Sequence, residues 1–221
     1  MPYPPRQTPA GVVFHVINRA IRKQQLFAQP SDYNAFVNCA VEAHRKVPVG
    51  VLAYCVMPNH FHFVLQSRED GQISRFMARM TATHSKRWHV HRGSVGTGAV
   101  YQGRFRAFPV QTDDYFYRVC RYVEANAVRA GLVRAAEEWP WCSLADRVAM
   151  IPRIPIDPWP LPRPSDWSTR VNGDPSRNEK AIRESISTGR PFGEPSWVER
   201  VARELNLEHT LHPHGRPQND L

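Results

Sequence analysis

The sequence predicts an α+β fold, with one principal domain over residues 1–150 and a proline-rich linker and small helical tail over 151–221. Three observations predict it. Short β-branched and aromatic runs alternate with longer segments whose apolar residues recur at helical spacing. The runs 51–57 and 60–66 are split only by Pro58-Asn59, a bulge or turn, because proline cannot donate to a ladder. Finally, residues 151–164 hold six of the chain's twenty prolines, a composition suited to an extended linker.

The elements follow in order. Gly11 to Ile17 reads as a strand that gives way to the polar turn Asn18-Arg19-Ala20-Ile21-Arg22-Lys23. Ser31 and Asp32 can cap a helix to about Arg45, with Tyr33, Phe36, Val37 and Ala40 on one face. After the two runs around Pro58-Asn59, Gln72 to about His89 forms a helix with Ile73, Phe76, Met77 and Met80 inward. Its outer face offers Arg75, Arg79, Lys86 and Arg87. A glycine-rich loop, Gly93 to Gly98, ends it. Tyr101 to Val110 alternates as a strand, with Gln102, Arg104 and Arg106 on one face and Phe105 and Ala107 on the other. Thr112-Asp113 caps a helix to about Ala130, which Gly131 stops. In the tail, Ser196-Trp197-Val198-Glu199 reads as a capping box opening a short helix with Trp197, Val201 and Leu205 inward.

Bulk properties narrow the function classes. The 221 residues are 42% apolar, enough for one good core with a small appendage. Lys and Arg number 29 against 20 Asp and Glu, a net charge of +9, which suits a polyanionic partner such as nucleic acid. Cys39, Cys55, Cys120 and Cys142 are far apart without a C-x-x-C, so the sequence indicates neither a zinc knuckle nor a disulfide framework. No stretch approaches the ~18 apolar residues of a membrane span and no apolar leader follows Met1, so a cytoplasmic location is expected.

Two constellations carry chemistry. In a strand, residues two apart share a face, so His60 and His62 project together while Phe61, Phe63 and Leu65 face the core. That is the geometry of a two-histidine metal clamp, and equally of a solvated sheet face. A histidine-triad hydrolase would need a third histidine where Val64 stands. His15 could approach the same face in a structural or hydrogen-bonding role, and His212-Pro213-His214 lies in a proline-broken tail without an evident third ligand. On the helix, Phe116, Val119, Cys120, Val123 and Ala127 form an apolar face at ~100° per residue. Tyr115, Tyr122 and Asn126 line its edge, with Arg118 and Arg129 outside. Tyr122 and Asn126 are one turn apart, about 6 Å along the axis, and can serve one site. An amide oxygen can join two imidazoles around a divalent ion such as Mg²⁺ or Mn²⁺, leaving positions open for phosphate oxygens. Tyr115, about 16 Å from Asn126 on a straight helix, is the rival nucleophile. Periodicity alone does not pair the two faces.

Taken together, Phe14-His15-Val16-Ile17-Asn18-Arg19, Met57-Pro58-Asn59-His60-Phe61-His62, Gln102-Gly103-Arg104-Phe105 and Arg121-Tyr122-Val123-Glu124-Ala125-Asn126 resemble the REP-associated tyrosine transposases. These are single-tyrosine HUH transposases, and the match runs in order from about residue 10 to 145. The resemblance implies a ferredoxin-like antiparallel sheet with helices, His60 and His62 as metal ligands, Tyr122 as nucleophile and Asn126 as the helix-borne ligand. Gly189-Arg190-Pro191 and Gly215-Arg216-Pro217 resemble the tails of that family. One departure is Ala127, where the family usually has proline; alanine restores a backbone donor and is expected to straighten the helix.

The implied reaction is transesterification of DNA through a 5′-phosphotyrosine, which conserves the bond energy for rejoining and needs no nucleotide cofactor. The expected substrate is single-stranded or hairpin-flanking DNA at palindromic repeats, with Arg19, Arg22, Arg104 and Arg106 as candidate backbone contacts. The competing reading is a non-catalytic, transposase-derived protein that binds hairpin DNA, with Tyr122 stacking on a base. Either a monomer or a homodimer is compatible with the sequence.

Overall fold

The structure, a computed structural model, describes residues 6–173 and 179–212. Four strands, β1 (Val13–Arg19), β2 (Gly50–Met57), β3 (His60–Gln66) and β4 (Arg106–Val110), form one antiparallel sheet in the order β2-β3-β1-β4. With α1 (Pro30–Lys46) between β1 and β2 and α2 (Gln72–Arg92) between β3 and β4, the chain follows the β-α-β-β-α-β path of a ferredoxin-like fold. The expected α+β class is therefore observed.

Alternation along the strands divides the molecule into two cores. Phe14, Val16, Tyr54, Phe61, Phe63 and Leu65 point to one face, where they meet Phe36, Phe76 and Met77 of α1 and α2. Val13, Cys55 and Val64 point to the other and meet Phe116, Val119, Cys120 and Val123 of α3 (Asp114–Glu124). His15, Ile17, His60 and His62 share the second face. The register sets His62 opposite Ile17 and His60 opposite Arg19 on the two central strands.

Several local expectations are corrected. The first strand runs on through Asn18 and Arg19, because β3 extends to His60 and supplies ladder partners for both. The cap of α1 is Gln29, with Pro30 in the first turn and Asp32 accepting from the backbone of Ala28 and Gln29, so Ser31 is not the cap. Residues 101–110 are not one strand. Gly103 takes φ +77°, which L side chains avoid, and the turn there leaves only Arg106–Val110 in the ladder. The capping box at Ser196 is absent: α8 (Pro195–Glu204) begins after Glu194 without a side-chain cap and buries Val198, Val201 and Ala202.

The helix expected to run to Ala130 breaks at Ala125, leaving α3 and a one-turn α4 (Asn126–Arg129), so Ala127 does not straighten it. The cause lies in two side chains. Asn126 Nδ2 donates to the Val123 carbonyl at 3.1 Å, and Arg129 Nη1 donates to the Tyr122 carbonyl at 2.8 Å. In an unbroken helix those carbonyls would serve the N–H groups of Ala127 and Asn126. Gly131, at φ +67°, ends the turn as expected.

Beyond α5 (Ser143–Ala149) the chain is extended, as its prolines suggest, but it lies on the sheet. Ile154 is fully buried, and Trp159 Nε1 donates to the Leu52 carbonyl at 2.7 Å. Trp167 of α6 (Trp167–Asn172) donates to the buried carboxylate of Glu124 at 2.6 Å, next to the Ser143 hydroxyl on the same group. The last turn of α3 is thereby tied to the C-terminal segment, whose α7 (Glu179–Thr188) packs Ile182 into the second core. Residues 213–217, with the second Gly-Arg-Pro triplet and His214, lie outside the described residues.

Candidate active site

The α3 side of the sheet opens into a cleft of about 500 Å³. Its floor is Ile17, His60 and His62; Tyr122, Asn126 and Arg129 form one wall, Arg19, Gln102, Arg104 and Arg106 another, and Arg183 and Ile186 of α7 a third. The histidine pair and the Tyr122–Asn126 pair, which periodicity left unconnected, thus face one space. Tyr122 stands edge-on to His62 and His15, with ring centroids 5.8 and 6.3 Å apart.

Both histidines have one ring nitrogen engaged. His60 Nδ1 lies 2.6 Å from Asn59 Oδ1, an acceptor, so His60 donates there and keeps its Nε2 lone pair. His62 Nδ1 lies 2.9 Å from Nε2 of His15, leaving His62 Nε2 likewise uncommitted. His15 is fully buried against Phe108, with centroids 4.8 Å apart, and its Nδ1 has no hydrogen-bond partner among the described residues. It plays the hydrogen-bonding role expected of it. Burial, with Arg19 and Arg129 nearby, holds His60 down at about 4. Burial and Arg129 hold His15 at about 3, and burial together with the neighbouring histidines keeps His62 well below the ordinary range. All three imidazoles are neutral near pH 7, the protonation state a metal ligand requires.

Asn126 is 7% exposed and its Oδ1 accepts from Arg129 Nη2 at 2.6 Å. An amide oxygen has two lone pairs, so one remains. Among the described residues, no group of three His, Cys, Asp or Glu side chains could hold a metal. Two imidazoles with one amide oxygen from Asn126 would be a mixed nitrogen and oxygen donor set, open to a divalent ion that also takes water or phosphate oxygens. Burial raises the Tyr122 phenol above its ordinary value, and the Arg129 cation works against that rise.

The predicted arginines divide. Arg19 at the end of β1, Arg104 in the turn after Gly103 and Arg106 at the start of β4 all line the cleft, although residues 101–110 are not the single strand that grouped Arg104 with Arg106. Arg22 is exposed at φ +53° in a turn outside the cleft. Tyr115 also lies outside it, packed on Phe192 at 5.1 Å with Arg118 over its ring at 4.7 Å. Arg129, read as an outer flank, is instead inside: its side chain is 11% exposed and its guanidinium carbon sits 3.9 Å from the Tyr122 ring centre. Seven residues return to nearly the same helical azimuth, so the spacing of Tyr122 and Arg129 held that signal. Arg183 had none, because it reaches the cleft only through the fold of the C-terminal segment.

A tyrosine beside two neutral imidazoles, in a cleft ringed with arginines, is an arrangement suited to a phosphodiester. Comparison with known proteins gives the same class. The family model described as "Transposase IS200 like" matches residues 10–126, more than half of the chain. The chain belongs to the IS200-like transposase family, and within it its similarity is to the REP-associated tyrosine transposases. The REP-associated tyrosine transposase of Escherichia coli K12 is 26% identical over 142 residues, covering 63% of this chain and 79% of that protein. A second relative, from Haemophilus influenzae, is 21% identical over 145 residues, covering 62% and 81%. A solved REP-associated tyrosine transposase bound to a REP hairpin shares the fold, with TM-score 0.55 and 20% identity over 73% of this chain and 94% of that one. Among the described residues no helix is long and apolar enough to cross a membrane.

Proposed function

We propose that this protein cuts and rejoins single-stranded DNA beside hairpin-forming palindromic repeats, through a covalent 5′-phosphotyrosine on Tyr122. The observation that carries the reading is the convergence of Tyr122 with His60, His62 and Asn126 on one arginine-lined cleft. The hairpin bound by the structurally similar transposase supports this substrate class. Tyr122 Oη, once deprotonated, attacks the phosphorus of a phosphodiester. The bond from phosphorus to the 3′ oxygen breaks, and that oxygen takes up a proton to become a free 3′-hydroxyl. Attack by a 3′-hydroxyl on the phosphotyrosine reverses the step and restores the phenol, so no nucleotide is consumed. A divalent ion, Mg²⁺ or Mn²⁺, held by His60, His62 and Asn126 would polarise the phosphoryl oxygens. Arg19, Arg104 and Arg106 would hold the flanking phosphates, and Arg129 opposes the rise in the phenol's pKa that burial causes.

The test is direct. Labelled single strands bearing hairpins from the gene's own flanking DNA are incubated with the protein and Mn²⁺ or Mg²⁺, and a covalent adduct is sought. Adduct formation lost in Tyr122→Phe and on chelation is expected. Tight hairpin binding with no adduct from any native repeat would leave the binding-only reading in its place.

A further inference from the structure

Arg129 makes more contacts than a helix end requires. One donor on the Tyr122 carbonyl at 2.8 Å would suffice to cap the broken turn. The same guanidinium also donates through Nη2 to Asn126 Oδ1 at 2.6 Å, lies face-on over the Tyr122 ring at 3.9 Å, and directs Nε to Glu179 of α7 at 3.5 Å. The group is planar with its donors in a fixed fork, so each contact restricts the others. Tyr122 is gripped at its carbonyl and at its ring, and Asn126, which lines the cleft, at its amide oxygen.

We propose that Arg129 is a positioning residue for strand cleavage, locking the Tyr122 ring and the Asn126 amide into one unit across the helix break. This rests on the reading of Tyr122 as nucleophile. Without the lock, Ala125 is a joint: Tyr122 belongs to α3 and Asn126 to α4, and no backbone helix makes the two rigid. A displacement of about 1 Å between nucleophile and ligand is enough to cost roughly a hundredfold in rate. Glu179 supplies the countercharge that lets the cation sit buried, and the same Oε1 also pairs with Arg183. Arg118 provides an internal comparison, being stacked on Tyr115 at 4.7 Å outside the cleft.

The experiment compares wild type, Arg129→Lys, Arg129→Gln and Arg118→Ala, using hairpin-bearing single strands with Mn²⁺. Lysine keeps the charge without the planar fork, and glutamine keeps hydrogen bonding without the charge. Both Arg129 variants are expected to lose about a hundredfold in kcat with KM and hairpin affinity within about threefold, while Arg118→Ala cleaves as wild type does. Cleavage within threefold of wild type in both Arg129 variants overturns the proposal. So does a loss that falls entirely in KM, which would make Arg129 a DNA contact. A second arm needs no activity: fluorotyrosine NMR on the seven tyrosines, with the Tyr122 line assigned by Tyr122→Phe. That line is expected to shift and broaden in Arg129→Gln while the other six stay. If wild type forms no adduct, the nucleophile reading fails, and this arm alone decides whether Arg129 locks the ring: an unmoved line overturns the lock.

Discussion

Replacing His15 by phenylalanine should weaken metal binding at His62 without unfolding the protein, and the structure lets the two effects be separated. If an ion binds His62 Nε2, the hydrogen of that imidazole must sit on Nδ1, where it meets His15 Nε2 at 2.9 Å. His62 is 2% exposed, so water cannot replace that acceptor. Losing an outer-shell partner of this kind typically costs about 10–100-fold in metal affinity, or roughly 1.4–2.7 kcal/mol. An unpaired buried donor costs about 1–3 kcal/mol of stability. Against this, His15 Nδ1 is itself buried without a partner, and phenylalanine removes that atom while keeping the contact with Phe108. The two stability terms oppose each other, so the melting temperature should move little. Mn²⁺ titration followed by electron paramagnetic resonance measures the affinity, and thermal melting of the apoprotein measures the fold. His15→Gln, which returns an acceptor, should recover part of the affinity. An Mn²⁺ affinity within twofold of wild type in His15→Phe would refute the argument that His15 sets the tautomer of His62.

Further outcomes follow from charge and burial. Arg104 lines the cleft, so Arg104→Ala should reduce the slope of log affinity against log salt by about 0.7 for a single strand; an unchanged slope removes it from the DNA path. His84 is buried in the other core, with the Tyr101 hydroxyl 2.7 Å from its Nδ1, and burial lowers its pKa to about 4. The unfolded chain takes up that proton near 6.5, so stability is full above pH 6.5 and falls as the pH drops towards 4. The slope from this one residue is about 1.4 kcal/mol per pH unit. Urea unfolding of His84→Gln between pH 7 and 5 should show a flatter decline than wild type, and parallel curves would contradict the assignment.

Much of the fold was legible because its signals are local. The apolar residues that helical spacing marks on α2 and α3 are all buried, joined by the polar Gln72, His84 and Glu124 that it did not mark, and the two-residue turn at Pro58-Asn59 joins β2 to β3. The site was legible only in halves. Period-two alternation put His60 with His62, and helical spacing put Tyr122 with Asn126, but their meeting depends on sheet order, which no window of sequence contains. What sequence missed arises where side chains replace backbone bonds. Asn126 and Arg129 bond the carbonyls left free at the break, and Arg129 so tied sits over the Tyr122 ring, inside the cleft, where helical spacing reads it as an outer flank. Gly103 acts in the opposite direction: it breaks the expected strand, yet Arg104 in the turn it creates and Arg106 at the start of β4 still reach the cleft.

The electrostatics of the cleft lead to one more consequence. Arg19, Arg104, Arg106, Arg129 and Arg183 surround two neutral histidines, with Glu179 pairing to two of these cations on the α7 side. Such a cleft attracts phosphates and adds to the burial that keeps its imidazoles unprotonated, but it also opposes the entry of a divalent cation. If the proposed ion binds there, a DNA backbone in the cleft would supply the missing negative charge and add phosphate oxygens to His60, His62 and Asn126. Metal and DNA should therefore bind with positive coupling, on the order of 1–3 kcal/mol, and by linkage each must tighten the other by the same factor. Mn²⁺ affinity measured on Tyr122→Phe, with and without a hairpin-bearing strand, isolates this from cleavage. Equal affinities in the two titrations would mean that the cations do not govern metal entry. A tighter Mn²⁺ site with DNA present would make the nucleic acid a component of the metal centre, which holds its full complement of ligands only when there is a strand to cut.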